Sequence, residues 1–392
     1  MRAWKAEDFQ GLQMTPIAGP AWENVKSAAA DEPRVALQIN TLVGTCLSGT
    51  RVTLDTLVAF AFEPFMPRGL PVFASDVFER RYAVLEEYLV AEDLLFEQTM
   101  LISGAQFSED VALEPGLAVV QIPATDPVLQ SPMPDIAPTF LTYGIGSPFG
   151  IRGTVRFRKR IGDQQLGEPE ELLAERQAKE QDAEELRDRF FDALSLVNSA
   201  NVQVSRPIFR CLSLDFGLGG PLPIGAAIVA FPRFSIDDGR DLSTFWSALK
   251  TNRQKAVDLA VRRLAYAMER KRPEDRLIDL MIAAEAVLLS DMNPELRFRF
   301  ALRGAWFVTS DPHRRRRCFD FLKRAYDVRS AIAHGGTPKK EMLRFEGVQG
   351  TVADVAAQME HFVRQILRRA VRGAEPGDIL PRKWDDDIVG PL

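Results

Sequence analysis

At 392 residues, with 46% hydrophobic residues and a net charge of −5, the chain is long enough for two or three domains and too apolar to be disordered. The acidic whole argues against binding to nucleic acid through overall charge. Cys46, Cys211 and Cys318 are isolated and odd in number, which argues against a disulfide framework or a zinc site and suits a reducing compartment.

The opening segment MRAWKAEDFQ has no apolar signal core, and the longest apolar runs are charged or too short to cross a bilayer. A cytoplasmic protein with no membrane association is expected. Val35–Phe62 alternates well enough, with turn signals at Gly44 and Gly49, for two strands or a strand and a short helix. Ser75–Glu97 reads as a helix, with Phe78, Tyr82, Leu85, Tyr88 and Leu89 as its stripe. Leu101–Ile161 is rich in proline and glycine and holds strand-like pieces at Leu117–Pro123 and Gly153–Arg160. Pro169–Ser199 is a charged helix whose apolar positions run from Leu172 and Leu173 to Leu186, Phe190, Phe191, Leu194 and Leu196. Ile208–Phe216 and Pro223–Phe231 read as further strands. Residues 1–235 are therefore expected to form a mixed α/β or α+β domain, and the chain as a whole is α+β.

From Asp241 the pattern is all helical, and residues 241–375 are expected to form a bundle followed by a tail at 376–392. Asp241 or Ser243 caps a helix through Lys250, and Arg253–Arg270 makes an amphipathic one. Pro273 suits the first turn of the next, and Pro294–Thr309 follows it. Asp311-Pro312 supplies an N-cap and a first-turn proline for a helix ending at Gly335-Gly336. Thr351–Val371 closes the bundle. The tail carries Asp385–Asp387 and is expected to be mobile or docked on a partner.

The stretch RAYDVRSAIAHGG (Arg324–Gly336) holds two residues out of keeping with their surroundings. Arg329 falls within the apolar row Cys318, Phe321, Leu322, Ala325 and Ile332, where a leucine would be expected. A cation on an apolar face needs a partner, since burying it alone costs several kcal/mol. In Leu277–Asp291, Glu285 interrupts the row Ile278, Met281, Ile282, Leu288 and Leu289 in the same way. The two misplaced charges are expected to meet. His334 stands in line with Asp320, Lys323 and Asp327, at the helix end. Arg329 and His334 lie roughly 140° apart around the axis and about 7.5 Å along it, so one helix does not aim both at one atom. A second helix is implied, from this chain or a symmetry mate.

RLIDLMIAAEAVLLSD, ELRFRFALRGAWFV and FLKRAYDVRSAIAHGG, in this order, resemble an HEPN domain of the ApeA-like group. The resemblance covers roughly Asp241–Arg372. It implies a helical bundle paired about a two-fold axis, and a metal-independent, cofactor-free ribonuclease site built from Arg329 and His334 of both protomers. Glu285, Asp327 and Ser330 would support that site. It also implies a prokaryotic antiviral role, with residues 1–235 sensing a phage or cellular trigger. Active members often carry Asn, Asp or His after the arginine, where this chain has Ser330. A non-catalytic HEPN scaffold that dimerises and binds RNA or protein is therefore the competing reading, and a toxin-like subunit held by a separate partner is a third.

Local charge favours RNA. Between Arg297 and Arg344 there are thirteen basic residues against four acidic ones, an excess of nine. The run His313–Arg317 opposes the macrodipole at the start of its helix. Arg314, Arg315, Arg316, Arg317 and Lys323 are thus candidate phosphate contacts, with a solvated charged face as the alternative. His313 and His361 read as surface residues. Gly217, Gly219 and Gly220 lack the setting of a dinucleotide site, and no Walker A, H-E-x-x-H or G-x-S-x-G sequence occurs.

Overall fold

The computed structural model describes most of residues 41–51, scattered positions in 80–90, then 91–123, 126, 128, 149–162, 167–198, 202–212, 233–251, 254–289, 295–345, 347–373, 384 and 388. The architecture is α+β, with seven described helices and a mainly antiparallel set of strands. Strands are β1 Leu42–Gly44, β2 Gly49–Arg51, β3 Asp93–Ser103, β4 Gln106–Phe107, β5 Val111–Glu114, β6 Leu117–Gln121, β7 Phe149–Arg158, β8 Arg160–Gly162, β9 Gln203–Val204, β10 Ile208–Cys211 and β11 Arg233–Phe234. The main sheet runs β10-β3-β7-β6-β5, with β9 also paired to β3.

Its axis is the β3–β7 pair, in register from Asp93↔Arg158 to Ile102↔Phe149. Asp93–Glu97, expected to be the end of a helix, is therefore strand. The helical stripe stops at Leu89, the helix closes with Ala91 N–H donating to Glu87 O, and Leu94, Phe96, Met100 and Ile102 follow at a period of two. Long-range pairing over ten residues overrides the local helical pattern there. Leu117–Pro123 and Gly153–Arg160 fall largely on β6 and β7, and Ile208–Phe216 is strand only to Cys211 among the described residues. Pro223–Phe231 and most of Val35–Phe62 lie outside the described residues.

The helices are α1 Pro169–Val197, α2 Ile236–Thr251, α3 Lys255–Glu269, α4 Pro273–Leu288, α5 Leu296–Val308, α6 Pro312–Ala333 and α7 Val352–Arg372, with a small β12–β13 hairpin (Arg344–Phe345, Val348–Gln349) between the last two. The stripe expected along all of α1 is buried only from its middle onward. Leu173 is exposed, whereas Phe190, Leu194 and Leu196 are buried. The first half is held instead by Arg160 of β8, which pairs with Glu171 and Glu175 at 3.1 Å each. Helix α2 starts five residues before Asp241. Ser235 and Asp238 form a capping box, the Asp238 N–H donating to Ser235 Oγ at 3.2 Å and the Ser235 N–H to Asp238 Oδ2 at 2.9 Å.

Four further boundaries follow their local signals. Pro273 opens α4, and Asp311 caps α6 by accepting from the His313 N–H at 2.9 Å. Gly335, at φ +74°, ends α6, and Thr351 caps α7 together with Asp354. One buried apolar cluster joins the sheet to the helices, from Met100, Ile102 and Val119 through Phe190, Trp246, Leu280, Phe300, Leu322 and Leu367. Trp384, in the segment expected to be mobile or docked on a partner, is buried on this chain's own α5. Its ring centroid is 6.1 Å from that of Phe307, and the Arg303 guanidinium lies 5.3 Å from it.

The last turn of α1 contains no basic residue, and its C-terminal carbonyls need donors from elsewhere. Helix α7 supplies them. Arg364 Nε donates to Ser195 O at 2.9 Å, and Arg368 donates to Leu196 O and Val197 O at 2.5 and 2.7 Å. Arg364 also binds Glu360 at 2.7 Å, and Glu360 in turn pairs with Arg276 of α4. Burial pushes the Arg364 guanidinium down to about 10.

Candidate functional site

Helices α4 and α6 bring Glu285 and Arg329 together, as their misplaced charges predict. Arg329 Nη2 lies 3.5 Å from Glu285 Oε2, and both side chains are about a quarter exposed. Beside Arg329 on α6, Leu322, Ala325 and Val328 are fully buried, while Cys318, Phe321 and Ile332 are half-buried. Arg329 thus flanks the buried seam without being sealed into it. Its Nε is buried with no hydrogen-bond partner, so the pairing leaves part of the guanidinium unsatisfied.

Burial raises the Glu285 carboxyl above the ordinary carboxylate range, against the opposing pull of Arg329. Tyr326 shares this environment. Its ring centroid is 6.0 Å from the Arg329 guanidinium. Its hydroxyl is pushed up by burial and by the Glu285 charge, with Arg329 again opposing. Tyr326 is a member of this group that the sequence reading misses. Its only signal there is position: an aromatic three residues before a cation on the same helix face.

His334 is the C-cap residue of α6, its backbone N–H donating to Ser330 O at 3.2 Å. The next two amides close the helix, Gly335 N–H to Ile332 O and Gly336 N–H to Ala331 O, both at 2.9 Å. The residue is exposed, and its imidazole makes no hydrogen bond among the described residues. Ser330 contributes its carbonyl to this turn. Asp327 pairs with Arg297 of α5, so it ties two helices together rather than serving Arg329.

The basic run divides by role. Arg314, Arg316 and Arg317 are exposed, whereas Arg315 folds back on the protein. Its guanidinium lies 3.6 Å from the Trp306 ring centroid and donates to Thr309 O and Ser310 O at 3.2 and 3.1 Å. Arg316 pairs with Asp320 at 3.0 Å and Arg314 approaches Asp311 at 3.8 Å. Lys323 sits 5.3 Å from the Phe319 ring centroid. His313 and His361 are both exposed.

Chemically, the α4–α6 edge offers a guanidinium fork suited to phosphate, a carboxyl with raised proton affinity, and an accessible imidazole about one turn beyond. Among the described residues, no three His, Cys, Asp or Glu side chains converge as metal ligands, and no helix is long and apolar enough to cross a membrane. Comparison with family models, with curated proteins and with solved structures returns no match for this chain.

Proposed function

We propose that the protein is a metal-independent endoribonuclease of the HEPN type, acting as a homodimer, with Arg329 and His334 as its catalytic residues. The observation that carries this reading is the α6 C-terminus. A half-buried arginine, held by Glu285 but with a buried N–H to spare, stands just before a histidine that is exposed and uncommitted. In the reaction the RNA 2′-hydroxyl attacks the adjacent phosphorus. The new 2′-O–P bond forms as the P–O5′ bond breaks, leaving a 2′,3′-cyclic phosphate and a 5′-hydroxyl. One His334 takes the 2′-hydroxyl proton and the His334 of the other protomer gives a proton to the leaving 5′-oxygen. Arg329 balances charge on the phosphorane. A helix C-terminus favours the imidazolium and so suits the acid.

Glu285 and Tyr326 orient Arg329, and Arg314, Arg316 and Arg317 guide the RNA backbone. The exposed Phe298 on α5, in edge contact with Phe319 of α6 at 5.8 Å, is an apolar surface that a second protomer would cover. We further infer a cytoplasmic protein of prokaryotic antiviral defence, whose first 235 residues respond to a phage or cellular trigger.

The second reading is a non-catalytic scaffold that dimerises and binds RNA or protein. The Arg329–Glu285 pair favours it, because a structural ion pair already accounts for the arginine. Incubating transfer RNA and messenger RNA with wild type and His334→Ala in EDTA separates the two. The nuclease reading expects cutting by the wild type and at least a hundredfold loss, roughly, in the variant. Absence of cutting by both proteins, also from cells expressing them during infection, selects the scaffold.

A further inference from the structure

The two faces of the main sheet differ row by row. Across β5, β6, β7 and β3, Val111, Val119, Ile151 and Met100 stand side by side and are buried against the helices. The next row, Ala112, Ala118, Arg152 and Thr99, therefore points to the opposite face. Its two alanines leave room there. A groove of about 560 Å³ is lined by Ala112, Ala118, Val120 and Arg152, together with the Pro115–Gly116 turn and Ser243 of α2.

Strand β5 is the last of its sheet, paired with β6 on one side only among the described residues. The N–H and C=O groups of its other side are the complement of one more strand. Gly239 brings α2 against Val111, where an added Cβ would stand 3.0 Å from Val111 Cγ2. Ser243, on the same helix face one turn further, borders the groove. The charges nearby are matched already. Glu114 pairs with Lys250 of α2. Arg152 donates to Thr99 Oγ1 at 3.2 Å and to Asp126 Oδ2 at 2.8 Å. Glu97 lies between Arg152 and Arg210, at 3.6 and 3.1 Å. Two guanidiniums and two carboxylates thus cancel, while Arg152 Nη1 makes no hydrogen bond among the described residues. The groove offers a neutral surface with a donor to spare.

We propose that an extended peptide of a partner protein docks here as an added strand on β5, with small uncharged side chains at alternate positions facing the groove. Backbone pairing supplies the affinity and the groove the selection. Every second residue of the added strand lies beside Ala112, on the groove face. Arg152 Nη1 suits a carbonyl or hydroxyl oxygen rather than a carboxylate, because Asp126 and Glu97 already neutralise the guanidinium. The register shift between Ala112 and Glu114, and the proline that follows, keep the free edge short. A short edge suits a peptide better than the long edge-to-edge pairing of two sheets. The proposal does not rest on RNA cleavage at His334, and neither reading fails with the other.

Random dodecapeptides displayed on phage, selected on the intact chain and then synthesised and titrated by fluorescence anisotropy, test it. Enriched peptides should carry Ala, Ser, Thr or Val at alternate positions and slow hydrogen exchange of the Val111–Glu114 amides. Ala112→Lys and Ser243→Arg fill the groove from positions outside the core. Each should keep the wild-type melting temperature and weaken binding by about tenfold or more. N-methylation of one alternate set of peptide amides should abolish binding and of the other set should spare it, because only one set faces β5. No enrichment overturns the proposal. So does binding indifferent to both substitutions, or equally tolerant of N-methylation in either set. A dimer that dissociates on Ala112→Lys would do the same, because the edge would then belong to a second copy of this chain.

Discussion

Glu285 on α4 and Arg329 on α6 face each other at 3.5 Å, yet burial still holds the Glu285 carboxyl above its ordinary range. Desolvation therefore outweighs the nearby guanidinium. A carboxyl whose folded pKa is raised stabilises the protein most when it is protonated, and that contribution is lost as pH rises through the folded value. Glu285→Gln removes the titration. The variant's melting temperature relative to wild type should therefore climb as pH rises from the ordinary glutamate range, about 4, through the raised folded value. A constant difference across that range would contradict the burial of this group.

Arg315 and Arg317, two residues apart, should behave oppositely. Arg315 stacks on Trp306 and bonds two carbonyls, so Arg315→Ala should cost about 1–2 kcal/mol in urea unfolding. Neutralising Arg314, Arg316 and Arg317 should leave stability within about 0.5 kcal/mol and weaken RNA binding instead. The slope of log K against log salt should become shallower by roughly 0.7 for each RNA phosphate that these arginines neutralise.

Gly304 of α5 faces α6 and α7 so closely that an added Cβ would stand 2.6 Å from Leu322 Cδ1 and 2.8 Å from Phe362 Cζ. Gly304→Ala should therefore destabilise by about 1–3 kcal/mol through overpacking. At Gly335 an added Cβ meets nothing within 4 Å, but φ is +74°. Gly335→Ala should cost about 1–2 kcal/mol from backbone strain alone, and Gly335→Asn less. Melting curves of the three variants check both sites.

Arg364→Ala removes one of the two arginines on buried Glu360 and one donor from the end of α1. The expected loss is about 2–4 kcal/mol. Arg364→Lys keeps the charge but cannot span Ser195 O and Glu360 with a planar fork, so it should recover only part of that. Full recovery in lysine would show that charge alone matters here.

The sequence is most readable where a signal is local. Asp311-Pro312, Thr351 and Gly335 each mark a helix end through bonds to their own neighbours, and all three stand where the sequence places them. The Glu285–Arg329 meeting is also legible, because a charge on an apolar stripe declares that it needs a partner. Less legible is whatever depends on distant chain. Asp93–Glu97 continues a helical pattern locally and becomes strand only through β7. The start of α2 falls earlier than expected because Asp241 and Ser243 look like caps as good as Ser235. The four arginines of the run are alike in sequence, and only the fold separates Arg315 on its tryptophan from Arg317 in a cleft. His361 gives no hint that it lines a cleft with Phe321 and Arg324, since those residues come from another helix.

The clasp of α7 on α1 sets where this chain can be divided. A fragment beginning at residue 236 would retain Arg364 and Arg368 but lose the Ser195, Leu196 and Val197 carbonyls that receive them. It would also uncover the apolar surface that Phe190 and Leu194 occupy. Expression of the helical part as an independent unit therefore calls for a start before Pro169, carrying the whole of α1 with it.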